Sequence, residues 1–166
     1  MFAFDLGPLL ATRAHPAVVH APLGAVLFLP LALALALASP RFRNHWIGTG
    51  EFLAILALLG GLAAMASGLG WAKELGGLPP GEWLAHSLKP APAFRALLRT
   101  HQLLALSGLA VGLAGAACLR GARKGASRLL WPAFLLSLLW LGLWGATGHW
   151  GGRMVFREAQ GEAPLP

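Results

Sequence analysis

The stretch PAVVHAPLGAVLFLPLALALALA, residues 16–38, contains no Asp, Glu, Lys or Arg. A helix needs about 20 mostly apolar residues to cross a bilayer, so this stretch predicts a transmembrane helix. Lipid offers no hydrogen-bond partner to the backbone, and a helix pairs its own N–H and C=O groups. The run is also longer than the apolar core of an ordinary secretory signal peptide, so we expect a retained span.

The rest of the chain continues this pattern. It has 166 residues, of which 57% are hydrophobic and 11% charged, whereas soluble domains carry about 25% charged residues. The sequence therefore predicts one all-α domain, an integral membrane four-helix bundle. The predicted spans are residues 16–38, 47–72, 96–119 and 129–150, followed by a polar tail at 151–166.

The chain has a net charge of +7, and its basic residues flank the apolar runs. This position indicates that they orient the helices in the membrane and do not bind nucleic acid. Four spans place both termini on one side of the membrane, here called side one, together with the long segment 73–95. Side two holds the short loops 39–46 and 120–128, which carry six Lys or Arg residues and no acid. By the positive-inside rule side two is cytoplasmic. The expected location is the inner membrane, with both termini in the periplasm.

Histidines mark three of the predicted helices on side one. His15 and His20 open the first helix, His101 lies near the start of the third, and His149 closes the fourth. Ionisable groups at membrane depth are costly and are functional hypotheses by default. A spacing of five residues corresponds to 140° around a helix, so His15 and His20 are expected to point in different directions.

Small residues follow His101 along one helix face, at Ala105, Gly108 and Gly112. Such a stripe permits close helix packing, and it also leaves room for a flat macrocycle beneath a histidine. Imidazole is a common axial ligand of haem iron. The chain has one cysteine, Cys118, and no CxxCH motif, which excludes covalent c-type haem.

The histidines and nearby arginines together predict a site for haem b, with one or two haems. The predicted iron ligands are His15, His20, His101 and His149, and the predicted partners of the haem propionates are Arg95 and Arg99. His20 is the preferred ligand of the first helix, since Pro16 places His15 near the helix cap. All four histidines lie on side one, so haem-mediated electron transfer across the whole membrane is not expected.

The motif HPAVVHAPLG at residues 15–24 resembles the HPxxVHFPxx opening of a family of small four-helix bacterial membrane proteins, catalogued as a domain of unknown function. The stretches RTHQLLALSG and GHWGGRMVFREAQG are similar to its third-helix histidine and its HGGxLVYxxGxGV ending. This chain departs from the pattern at Ala21, at Trp150 and in the closing QGEA. The resemblance implies a four-helix membrane domain with histidines as haem b ligands, and no agreed activity.

Three functions are compatible with these features. The first is a b-type haem protein that relays electrons near the periplasmic face within a respiratory chain, an electron-transfer subunit rather than a stand-alone enzyme. Its expected partners are lipid, a c-type cytochrome or respiratory complex subunits, and quinone, with no nucleic acid. The second is a non-enzymatic anchor or scaffold subunit of a respiratory complex. The third is a histidine-based metal-binding membrane protein. This function is disfavoured because metal sites usually include carboxylates, whereas Glu51 lies towards side two and the other acids lie in loops or tails.

Overall fold

Four long helices account for most of the computed structural model, which describes residues 15–74 and 93–159. A helical turn at His15–Val18 precedes α1 (His20–Ala38), α2 (Arg43–Glu74), α3 (Ala93–Arg123) and α4 (Leu130–Ala159). Short 3₁₀ turns, Pro40–Phe42 and Ser127–Leu129, enter α2 and α4. Each of the four helices contains a segment long and apolar enough to cross a membrane. The predicted all-α membrane bundle is confirmed.

The helices extend beyond the apolar segments from which the spans were predicted. α2 begins at Arg43 and α4 continues to Ala159. A helix satisfies its own backbone and can therefore continue from lipid into water, where its polar side chains are solvated. Most of the predicted 73–95 connection, and the tail after Ala159, lie outside the described residues.

The four helices form a closed ring. α1 packs against α2 and α4, and α3 packs against the same two helices, with the α3–α4 interface the most extensive. The interior is lined by residues at helical spacing, such as Val26, Leu29 and Leu33 of α1. The outer faces are also apolar, and Phe28 and Phe52 are 58% and 65% exposed. Helices that are apolar on all sides are typical of membrane spans.

Two tryptophans of α4 fill the centre of the ring. Trp140 and Trp144 are 1% and 6% exposed, and their rings meet edge to face with centroids 5.1 Å apart. The indole of Trp144 lies against Gly108 of α3 and also reaches α2, where a Cβ at Gly61 would lie 2.6 Å from Cη2. A Cβ at Gly112 would lie 2.5 Å from Trp140. A side chain at any of these three positions would overlap an indole, so glycine is required there for the tryptophans to pack.

The α3–α4 connection is a helix-ending motif that requires glycine. The N–H of Ala126 bonds to the carbonyl of Gly121 and the N–H of Gly125 to that of Ala122, the two bonds of a Schellman motif. Gly125 has φ of +105°, a left-handed conformation that is unfavourable for residues with a Cβ. The turn directs α4 back along α3.

The packing of Trp144 predicts that Gly108→Ala destabilises the protein. The added methyl group overlaps the indole, and overpacking of a tight interior typically costs about 1–3 kcal/mol. Gly142→Ala is the matched control, because a Cβ at this α4 position has nothing within 4 Å. Thermal unfolding in detergent is expected to show a lower midpoint for Gly108→Ala and an unchanged or higher one for Gly142→Ala. Equal midpoints would contradict the packing.

Candidate functional site, a histidine pair at one end of the bundle

The structure brings together two of the four predicted histidines. The rings of His15 and His101 have centroids 6.3 Å apart and planes at 78° to each other. His15 is 8% exposed, and His101 is partly buried. The pair joins the turn before α1 to the first turns of α3, at the end of the bundle that belongs to side one.

A serine of α2 orients the first ring. Nδ1 of His15 lies 2.8 Å from Oγ of Ser67, and the Ser67 hydroxyl donates to the carbonyl of Ala64 at 2.9 Å. Because that hydroxyl hydrogen is directed to Ala64, the Ser67 oxygen accepts from Nδ1–H of His15. Ser67 is itself 1% exposed, so the bond is sheltered from water.

A backbone carbonyl of α4 orients the second ring. Nδ1 of His101 lies 2.9 Å from the carbonyl oxygen of Thr147. A carbonyl accepts but cannot donate, so Nδ1 of His101 carries the hydrogen. Nδ1 of each ring is thus held by a protein oxygen, Ser67 Oγ for His15 and the Thr147 carbonyl for His101. This is the arrangement of metal-binding histidines, whose other ring nitrogen usually donates to a protein oxygen.

Glycines support both rings. A Cβ at Gly68 would lie 2.9 Å from Cε1 of His15, and a Cβ at Gly151 would lie 3.1 Å from Cε1 of His101. Each imidazole thus lies directly on the backbone of a neighbouring helix, where a larger residue would displace it. Gly68 and Gly151 set the positions of the two rings in the bundle.

The surroundings of His15 favour its neutral form. Burial lowers the pKa of His15, and repulsion from His101 lowers it further, whereas the Ala64 carbonyl raises it. The net effect is a pKa below the ordinary histidine value. The lowered pKa favours the neutral form of His15, the form in which histidine binds metal ions.

The other predicted site residues have different environments. His20 is exposed, which agrees with the expectation that His15 and His20 point in different directions. His149 is also exposed, and its ring contacts Trp150 edge to face. Arg99 is partly buried in the first turns of α3. Arg95 lies in α3, but its side chain is outside the described residues.

The small-residue stripe below His101 does not form an open slot along its whole length. Trp144 covers Gly108, and Trp140 covers Gly112. Sequence reasoning recognised the glycines but missed the indoles that occupy them, as it also missed Ser67 and Thr147 as partners of the histidines. Within residues 15–74 and 93–159, no group of three or more His, Cys, Asp or Glu side chains is placed to hold a metal ion.

A family model for a predicted membrane protein, DUF2231, matches residues 12–164 of the chain. The chain belongs to this family. The match includes both histidines of the pair and all four helices. No curated protein and no solved structure matches the chain. The family assignment therefore agrees with the membrane bundle and assigns no chemistry to the histidine pair.

The hydrogen bonds of the pair predict a tautomer that can be measured. In ¹⁵N-histidine NMR of the detergent-solubilised protein, His15 and His101 are expected to show protonated Nδ1 and unprotonated Nε2. Ser67→Ala removes the acceptor from His15 alone and is expected to shift the His15 signals while leaving those of His101 unchanged. Ser137→Ala is the control, since Ser137 donates only to the Phe134 carbonyl of its own helix. Protonated Nε2 on either ring in the unmodified protein would contradict the arrangement.

Proposed function

We propose that the protein binds one haem b through Nε2 of His15 and His101 and relays electrons at one face of the membrane. The single observation that carries the proposal is the orientation of the two rings. Ser67 Oγ and the Thr147 carbonyl hold the two Nδ1 atoms, which fixes the orientation of both rings, and Nε2 of each ring is the nitrogen that we propose as the iron ligand. Imidazole nitrogen of this kind is a common axial ligand of haem iron.

The separation of the rings supports the same ligand. With metal–nitrogen bonds of about 2 Å on opposite sides of one ion, two imidazole centroids lie roughly 6 Å apart. The observed distance between centroids is 6.3 Å. Both rings could therefore reach one iron at the level of His15 and His101, and Trp144, which lies against Gly108, would limit the space for a porphyrin further along α3.

Two imidazoles favour haem over a bare ion. A bare zinc ion usually takes four ligands, three of them from protein at a catalytic site. The described part of the chain offers no third metal-binding side chain beside the pair. A porphyrin would supply four nitrogen donors of its own, so that His15 and His101 could complete the ligand set of its iron. Haem b thus matches what this pair can provide.

The bound haem would supply reversible one-electron chemistry at its iron. The chain itself has three tasks in this proposal. His15 and His101 bind the iron, Ser67 and Thr147 fix the two rings, and Gly68 and Gly151 allow the rings to approach their neighbouring helices. Arg95 and Arg99 remain the proposed partners of the haem propionates, on the basis of their position just before His101 in the sequence.

The basic loops of side two support a cytoplasmic position for side two by the positive-inside rule, and the histidine pair would then lie at the periplasmic face of an inner membrane. A haem at that depth would exchange electrons with a periplasmic c-type cytochrome, with subunits of a respiratory complex or with quinone in the membrane. The protein would act as an electron-transfer subunit. His20 and His149 remain candidates for a second haem only if a second set of ligands is demonstrated.

One observation favours a different function, a non-enzymatic anchor subunit. The glycines at positions 61, 108 and 112 make room for the indoles of Trp140 and Trp144. Such close helix packing is expected of an anchor subunit, whose bundle needs only to hold together. An anchor does not explain why one buried and one partly buried imidazole are held in fixed orientations, because burying polar groups is costly and apolar residues would pack as well. We therefore place the haem function first.

Histidine variants test the proposal. His15→Ala and His101→Ala, expressed with ample haem supply and purified in detergent, are expected to lose more than nine-tenths of the haem measured as pyridine haemochrome. Ser67→Ala is expected to retain haem with about 10–100-fold weaker affinity, the usual cost of removing a partner that orients a metal ligand.

His45→Ala is the matched control, since His45 is an exposed histidine on side two. Its haem content is expected to equal that of the unmodified protein. His20→Ala and His149→Ala test the earlier ligand prediction and are expected to retain the haem held by the pair. Haem content that is insensitive to both His15→Ala and His101→Ala would contradict the proposed site.

A further inference from the structure

An ion cluster joins α2 to α3 at the end of the bundle opposite the histidines. Oε1 of Glu51 accepts from Nη1 of Arg120 at 3.0 Å, and Oε2 accepts from Nη1 of Arg123. The Glu51 side chain is 12% exposed, whereas those of Arg120 and Arg123 are 61% and 54% exposed. The carboxylate is therefore enclosed, and both guanidinium groups extend towards the surroundings.

The cluster and its surroundings carry excess positive charge. One carboxylate faces two guanidinium groups, so the cluster keeps a net charge of +1. The loops of side two add further basic side chains: Arg41, Arg43, Lys124 and Arg128. Glu51 is the one acid that the described residues place at this end. A phosphate group here would find donors and no competing anion except Glu51.

An apolar stripe leads into the membrane from these guanidinium groups. Leu113 and Ala117 precede Arg120 by seven and three residues, so all three lie on one face of α3. Leu113 is 57% exposed, and Ala117 is also exposed. Arg120 and Arg123 lie in the last turn of the helix. The face thus combines cationic donors at the membrane boundary with an apolar surface at acyl-chain depth.

We propose that Arg120 and Arg123 form a binding site for the headgroup of an anionic phospholipid, whose acyl chain lies along Leu113. Guanidinium groups bind phosphate oxygens through paired, charge-assisted hydrogen bonds. Glu51 has two effects in this site. It holds both arginines in place, and it competes with the phosphate for their N–H groups. The apolar stripe favours a lipid over free phosphate, and the site is independent of haem binding.

Lipid titration of the purified protein, followed by native mass spectrometry in detergent, tests the site. Dioleoyl phosphatidylglycerol is expected to bind at least tenfold more tightly than dioleoyl phosphatidylcholine. Arg120→Gln and Arg123→Gln are each expected to weaken phosphatidylglycerol binding about fivefold, which corresponds to the usual contribution of one basic residue near an anionic membrane. Glu51→Gln is expected to strengthen it severalfold, because the competing charge is removed.

Arg128→Gln is the matched control, since it removes one positive charge from the same face at an exposed residue that does not pair with Glu51. Its effect is expected to be less than twofold. If Arg128→Gln and Arg120→Gln weakened phosphatidylglycerol binding equally, the lipid would be attracted by the overall positive charge and not by a specific site. That result would overturn the proposal. Displacement of bound lipid by an excess of inorganic phosphate would also overturn it, since the apolar stripe would then contribute nothing.

The Glu51→Gln variant weakens a link between α2 and α3, so its thermal unfolding is measured alongside lipid binding. If Glu51→Gln does not fold, Arg120→Gln and Arg123→Gln are compared with Arg128→Gln instead, because the side chains of all three arginines are exposed at the surface. Unchanged phosphatidylglycerol affinity in both arginine variants overturns the proposal whatever the behaviour of Glu51→Gln.

Discussion

The insertion of Trp144 between Gly61 and Gly108 is the contact on which the rest of the bundle depends. Lipid is as apolar as the helix surfaces, so helices in a membrane associate through close packing rather than through the hydrophobic effect. One indole of α4 touches both α2 and α3, and Trp140 continues the contact at Gly112. The relative positions of three helices are thereby fixed, including those that carry Ser67, His101 and Thr147.

The fixed helices account for the order of the histidine pair. Each ring lies on a glycine of a neighbouring helix and donates from Nδ1 to an oxygen of that same helix, Ser67 for His15 and Thr147 for His101. A buried imidazole without such a partner would carry the full cost of losing water. The two hydrogen bonds offset this cost, and they also fix the orientation of both rings at one end of the bundle.

The fold could be predicted from composition and length, because an apolar run such as residues 16–38 has one stable arrangement in lipid. The different directions of His15 and His20 followed from helical geometry and agree with one buried and one exposed ring. The hydrogen-bond partners of the histidines, Ser67 and Thr147, could not be predicted. A single serine or a backbone carbonyl forms no pattern of spaced residues that would mark it in the sequence. The glycine stripe of α3 could be predicted from the sequence, but the tryptophans that fill the space beside it could not. A stripe covered by an indole of another helix and a stripe that leaves an open slot have the same sequence pattern.

We propose that His15 and His101 together bind one iron, and haem titration of haem-free protein tests this binding most directly. Haem added to the detergent-solubilised protein is expected to saturate at one equivalent per chain, with the low-spin spectrum of iron bound by two imidazoles. His15→Ala is expected to abolish that low-spin spectrum. Absence of saturable binding, or an identical low-spin spectrum in the His15→Ala protein, would contradict the account.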